Sequence, residues 1–131
     1  SLINEMDHVG VMTLELFDSS DELIVNEIAP RVHNSGHWTI EGAQTSQFEN
    51  HIRAITNSPL GVTSTKSSFN AMINIIGMHG QTSKVLETKN AHLHLYDKEE
   101  RKGRKLGHIT LTSNSMEELN KSIDSLKEYL P

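Results

Sequence analysis

Residues 25–55 read VNEIAPRVHNSGHWTIEGAQTSQFENHIRAI, and three kinds of local structure follow one another within them. The first residues close a run of strand formers, ELIVNEIA at 22–29, which ends where Pro30 removes a backbone donor. Residues 33–42 (HNSGHWTIEG) are polar, hold two glycines and read as a loop or a single helical turn. Phe48, Ile52 and Ile55 then recur at helical spacing, so 44–56 is predicted as a helix, with Thr45 or Ser46 as its cap.

Working outward, residues 9–18 (VGVMTLELFD) form another strand-rich run. Ser19, Ser20 and Asp21 separate it from 22–29, which predicts a hairpin. In the other direction, residues 57–68 contain Pro59, Gly61 and several Ser and Thr, and read as a linker. Beyond it come strands at 71–76, 91–97 and 105–112, with a short helix at 82–86 between the first two. Residues 115–130 close the chain as an amphipathic helix. Ser115 and Glu118 stand at capping-box spacing, and Leu119, Ile123, Leu126 and Leu130 form one apolar stripe. Residues 1–8 read as the tail of a helix. The fold class is α+β, with a boundary in the linker: one unit at 1–57 and a small β-rich one at 58–131.

Of 131 residues, 35% are hydrophobic and 22% charged, a mixture that folds. A net charge of -5 argues against a nucleic-acid partner, which favours a basic surface. The absence of cysteine excludes disulfides and Cys-ligated zinc, and fits a reducing, cytoplasmic setting. No apolar run reaches the roughly 20 residues of a membrane helix, so no membrane role is expected.

Glu15 and Glu27 interrupt the apolar runs of the hairpin. A turn centred on Asp21 sets them directly opposite each other, an arrangement that is destabilising for two like charges. If both are buried, one carboxyl must also resist ionisation. A divalent cation resolves both problems, and oxygen ligands suit Mg²⁺. The alternative is a surface hairpin with solvated glutamates. In a regular strand Asn26 faces away from the pair; only a bulge would bring it round.

Arg31, His33, Asn34, Ser35 and His37 fall within seven residues, a density of donors suited to an anionic ligand as well as to a polar loop. Residues 98–105 (KEERKGRK) carry five basic side chains among eight, around Gly103. Such a turn can wrap a phosphate or simply be a solvated hairpin tip. His92 and His94 share a strand face, and without a third ligand they read as packing residues rather than a zinc site. Tyr96 and Lys98 continue that face towards the basic loop, and His108 reads as a packing residue too.

Residues 25–55 and the later stretch HLHLYDKEERKGRKLGHITLT at 92–112 together resemble the two signatures of the N5-carboxyaminoimidazole ribonucleotide synthetases, the ATPase subunits of phosphoribosylaminoimidazole carboxylase. These are ATP-grasp ligases of purine biosynthesis. The resemblance implies that 1–57 is the C-terminal portion of an ATP-grasp domain. It makes 58–131 a small β-rich domain, a rudimentary barrel-sandwich hybrid with a closing helix. It implies Glu15 and Glu27 as magnesium ligands, and Asn26 with Glu27 as ATP contacts. Arg31, His33, Asn34 and Ser35 become the catalytic segment where phosphate, bicarbonate and amine meet. Lys98, Arg104 and Lys105 become the ligands of the substrate's 5′-phosphate, while Arg101 and Lys102 face solvent.

The implied reaction joins bicarbonate to 5-aminoimidazole ribonucleotide at the expense of ATP. The implied setting is a cytoplasmic homodimer that uses Mg²⁺. The family's upstream domains, with their lysine over the nucleotide, are not in this sequence, so the chain is expected to be incompetent alone. Two alternatives stand beside this reading. One is the sibling formate-dependent glycinamide ribonucleotide transformylase, against which the HNSGHW segment argues; the other is a non-catalytic binding or dimerisation module.

Overall fold

The computed structural model describes residues 1–130. Its order is α1 (Leu2–Glu5), β1 (Thr13–Ser19), β2 (Glu22–Ala29), a 3-10 turn (Asn34–Gly36), α2 (Thr39–Gly42), α3 (Gln47–Ile55), β3 (Phe69–Ile76), α4 (Thr82–Val85), β4 (Ala91–Leu95), β5 (Lys105–Ser113) and α5 (Met116–Leu126). The mixture matches the α+β expectation. The chain divides into two compact units, one of residues 1–40 and 44–64, the other of 41–43 and 65–130.

In the first unit β1 and β2 form an antiparallel hairpin. Ser19 pairs with Glu22, so the turn has two residues rather than the three expected, and a bulge lies at the Glu15/Leu16 step. Apart from Ala29, the β2 side chains are exposed, including Leu23, Ile24 and Val25. Helix α3 begins where Ser46 Oγ accepts from the Glu49 N–H at 3.1 Å, so Ser46, not Thr45, is the cap. Thr45 is instead buried against the chain at Gly61.

The second unit is a three-stranded antiparallel sheet in the order β3-β5-β4, which makes β5 the central strand. One face carries Ile73 and Ile75 from β3, Leu93 from β4, and Ile109 and Leu111 from β5. Val85 of α4 and Leu119 and Leu126 of α5 pack in the same cluster. The alternation that selects these residues is the two-residue period of a strand. It breaks at one place: the β3–β5 register shifts at Ile75/Ile76, and Leu106 joins Ile109 in the core despite an odd spacing. The bulge turns Leu106 inward beside Gly107, which has no side chain to offer.

Helix α5 starts as read, with Ser115 Oγ accepting from the Glu118 N–H. The reciprocal half of the capping box is replaced: Ser113 Oγ accepts from the Ser115 N–H at 3.0 Å and donates to Glu118 Oε2 at 3.3 Å. The helix is shorter than expected. Tyr129 N–H bonds Leu126 O at 3.0 Å, an i→i−3 contact that tightens the last turn.

Candidate functional site

The hairpin brings Glu15 and Glu27 face to face, as read, although by a different construction. A two-residue turn leaves one residue over, and Asn26 is that residue. The bulge turns its side chain onto the face that regular alternation would deny it. Its Nδ2 donates to Glu15 Oε2 at 2.6 Å.

Glu27 is met from the other side by His33, which follows the strand-ending Pro30 and is itself 8% exposed. Ser35 N–H donates to His33 Nδ1 at 3.3 Å and Ser35 Oγ lies 2.8 Å from the same nitrogen, so Nδ1 is the accepting atom. The proton therefore sits on Nε2, which donates to Glu27 Oε1 at 2.9 Å. Asn26–Glu15 and Glu27–His33–Ser35 form one cluster: ligand atoms of Glu15, Glu27 and His33 all lie within 4.8 Å of one another. Of the two possibilities, a buried pair and a solvated one, the structure is nearer the second. Glu27 is 48% exposed at its side chain and Glu15 is half-buried, because the side chains of a two-stranded ribbon remain largely in solvent.

Two carboxylates at this separation, one accepting from Asn26 and the other from His33, make an oxygen-rich set that fits Mg²⁺. His33 does not add a ligand in its present hydrogen bond, since its Nε2 proton is directed at Glu27.

Gln47, at the first turn of α3, was not legible as a site residue. Its Oε1 accepts from the His33 N–H at 3.0 Å, while its Nε2 donates to His33 O and lies 2.8 Å from His37 Nδ1. It thus clamps both backbone groups of His33. A glutamine on a predicted helix face gives no hint of this, because the contact spans 14 residues. Arg31 is exposed and donates through Nη1 to Val32 O at 2.9 Å, while Asn34 is half-buried and its carbonyl closes the 3-10 turn.

In the second unit, residues 98–104 connect β4 to β5. Gly103 has φ +74°, the left-handed conformation that a turn here requires and that glycine adopts freely. The Arg104 N–H bonds Arg101 O, and its Nη1 lies 3.4 Å from Glu99 O, so its guanidinium turns back over the loop. Lys98 Nζ sits 5.2 Å from the centre of the Tyr96 ring. Lys105 opens β5 and pairs with Ile76, on the loop side of the bulged residue Leu106. The loop is anchored by Glu100, which accepts from the His79 N–H at 2.8 Å and meets His79 Nδ1 at 3.1 Å. The backbone bond first, then the side chain, hold the Glu100 carboxyl below the ordinary carboxylate range.

His94 bonds Glu41 and stacks on His108, the packing role expected of it, and His92 is exposed. Among the described residues, the one cluster of three potential metal ligands is that of Glu15, Glu27 and His33. No helix is long and apolar enough to cross a membrane.

A family model of the ATP-grasp domain matches residues 1–48, and one of the phosphoribosylaminoimidazole carboxylase C-terminal domain matches 70–122. The chain is 46% identical over 130 residues to the N5-carboxyaminoimidazole ribonucleotide synthase of Vibrio cholerae, covering 99% of this chain and 34% of that protein. It is 45% identical to that of Escherichia coli over 131 residues, covering 100% of this chain and 36% of that one. The crystal structure of N5-carboxyaminoimidazole ribonucleotide synthetase from Thermus thermophilus superimposes with a TM-score of 0.92 at 49% identity, over 98% of this chain and 36% of that one. The synthase from Aspergillus clavatus, in complex with ADP and 5-aminoimidazole ribonucleotide, gives 0.80 at 39% identity, over 91% and 34%. The chain thus spans about a third of the length of the curated relatives it matches. With both domain models met in order and near-complete coverage at such identity, this chain belongs to the N5-carboxyaminoimidazole ribonucleotide synthase family of ATP-grasp proteins.

Proposed function

We propose that the chain is part of an ATP-dependent ligase that joins bicarbonate to 5-aminoimidazole ribonucleotide. The products are N5-carboxyaminoimidazole ribonucleotide, ADP and phosphate. The observation that carries this reading is the facing pair Glu15–Glu27, with Asn26 bonded to one carboxylate and His33 to the other. Residues 1–57 are assigned to the end of the ATP-grasp domain and 58–131 to a small β-rich C-terminal domain. The division of the chain into two compact units supports a two-domain reading, with the changeover at 64/65 and residues 41–43 joining the second unit. By resemblance to the family, the reading includes a homodimer in the cytoplasm.

Glu15 and Glu27 would hold Mg²⁺, which when bound offsets charge on the nucleotide's phosphate oxygens. Asn26 bridges this edge and the nucleotide. His33 holds the Glu27 carboxylate in one orientation through its Nε2 proton, and Gln47 fixes the His33 backbone. Arg31 supplies an exposed guanidinium for an anionic reactant and Asn34 a neutral donor, while Ser35 holds the His33 ring that orients Glu27. Lys98, Arg104 and Lys105 bind the ribonucleotide 5′-phosphate, with Arg offering a fork and Lys a point charge.

The test is phosphate release from ATP by the full-length protein. We expect turnover with 5-aminoimidazole ribonucleotide and bicarbonate, and none with glycinamide ribonucleotide and formate. Turnover with the second pair alone would establish the sibling activity instead. In the same assay Arg104→Ala is expected to weaken ribonucleotide binding by about 1.5–3 kcal/mol, the size of a charge-assisted hydrogen bond, with the Michaelis constant for ATP little changed. An unchanged Michaelis constant for the ribonucleotide in both Arg104→Ala and Lys98→Ala would remove the phosphate-loop assignment.

A further inference from the structure

The sheet of the second unit has a face that its apolar core does not use. Strand alternation puts His92 and His94 on it from β4, and His108 and Thr110 from β5, with Tyr96 following just past the end of β4. Polar side chains usually mark a solvated face, yet His108 is 2% exposed and Thr110 0%. Burying polar rings is costly unless they are bonded to one another. Here they are. His94 and His108 are cross-strand partners whose rings stack at 4.5 Å and 10°. His94 Nε2 lies 2.8 Å from Glu41 Oε1, and Glu41 is 13% exposed at its side chain. On the other side, His108 Nδ1 lies 2.7 Å from the Tyr96 hydroxyl.

This row leads somewhere. Tyr96 is the last residue to bond β5, donating its N–H to Leu106 O at 2.8 Å. The next residue, Asp97, has φ +52°, which ends the strand and starts the basic loop. Lys98 then returns over the Tyr96 ring, its ammonium 5.2 Å from the centroid. A cation over an aromatic face is attracted to it, so the plane of the ring sets where the ammonium rests. The ring is fixed at its far end by the hydroxyl–His108 bond, and His108 by its stack on His94.

We propose that Tyr96, held by His108 with His94 and Glu41 behind it, is a positioning residue that presents Lys98 to the phosphate of the ribonucleotide. The proposal rests on the phosphate-loop reading above and adds how one of its three cations is aimed. A long lysine on an exposed loop otherwise spends its rotamer freedom on binding, and restraining it beforehand lowers that cost.

The test is a double-mutant cycle in the full-length protein, with Michaelis constants for both substrates and kcat. Tyr96→Phe keeps the ring and releases its hydroxyl anchor. We expect the Michaelis constant for the ribonucleotide to rise about fivefold, with kcat and the constant for ATP within about twofold. Lys98→Ala is expected to raise the ribonucleotide constant about tenfold or more. Tyr96→Phe added to Lys98→Ala should then do nothing further, because the aimed group is gone. A purely structural role for Tyr96 predicts instead that the effects multiply, with a lowered melting temperature and a rise in both Michaelis constants; that result overturns the proposal. A ribonucleotide constant raised by Lys98→Ala but unmoved by Tyr96→Phe overturns it while leaving the phosphate loop standing. A flat response to Lys98→Ala removes the phosphate loop and the positioning role together.

Discussion

Glu27→Gln in the full-length protein is expected to lower kcat by about 100-fold or more, with the melting temperature and the circular dichroism spectrum unchanged. The substitution is nearly isosteric and retains an oxygen that can accept from His33 Nε2, now at 2.9 Å from Glu27 Oε1. It removes one negative charge from a set whose cation affinity depends on charge as much as on oxygen count. The side chain is 48% exposed, so the fold has little at stake in the exchange. Glu15→Gln provides the companion measurement. Its partner Asn26 donates one hydrogen bond to it, and a glutamine oxygen still accepts that bond. Raising the Mg²⁺ concentration should restore part of the activity of either variant, since the lost charge weakens cation binding rather than the chemistry of the remaining groups. A Glu27→Gln enzyme that retains more than a tenth of wild-type kcat at low Mg²⁺ would exclude the pair as the metal edge.

Gly107→Ala is expected to destabilise the second unit by about 3 kcal/mol or more, at the upper end of what overpacking costs. A Cβ at this position would lie 2.3 Å from the carbonyl oxygen of His94, a backbone atom on the neighbouring strand. A side chain could rotate away, but this oxygen cannot, because Gly107 pairs with Leu95 and the Tyr96 N–H is tied to Leu106 O. Relief would require β4 to part from the central strand, and with it the His94–His108 stack. Thermal unfolding of Gly107→Ala beside Gly103→Ala separates steric from conformational cost. At Gly103 a Cβ meets nothing within 4 Å, so only the positive φ penalises alanine and the loss should be about 1 kcal/mol. Equal melting temperatures for the two variants would mean that the strands adjust more readily than their hydrogen bonds imply.

The sequence carried the fold where periodicity was strong. Phe48, Ile52 and Ile55 marked α3, and Leu119 and Leu126 marked α5, because each pattern is set by residues within one helix. The facing of Glu15 and Glu27 also came out as read, but because the spare residue of the bulge offsets the one residue by which the turn is shorter than counted. What the sequence did not carry were contacts set by a departure from regularity or by distance along the chain. Asn26 reaches Glu15 only through a bulge, and a bulge leaves no composition signal of its own. Gln47 secures His33 from 14 residues away, and Glu41 meets His94 from 53, pairings that no local pattern announces. Exposure at the carboxylates stayed open in the sequence because apolar neighbours such as Leu14 and Leu16 fit a buried strand as well as a solvated one; both are exposed on the hairpin.

The bulge also decides how the hairpin responds to changes of length. Eleven residues separate Glu15 from Glu27: ten are taken up by four cross-strand pairs and a two-residue tip, and Asn26 is the spare. Loss of one residue at the tip leaves an even count. The chain can then close a regular ladder with Asn26 drawn into pairing with Leu16, and the two carboxylates still opposite each other. A shortened tip is therefore absorbed by the spare residue instead of being passed on to the acidic pair. Parity places the risk on Asn26, which returns to the far face, and spares Glu15 and Glu27.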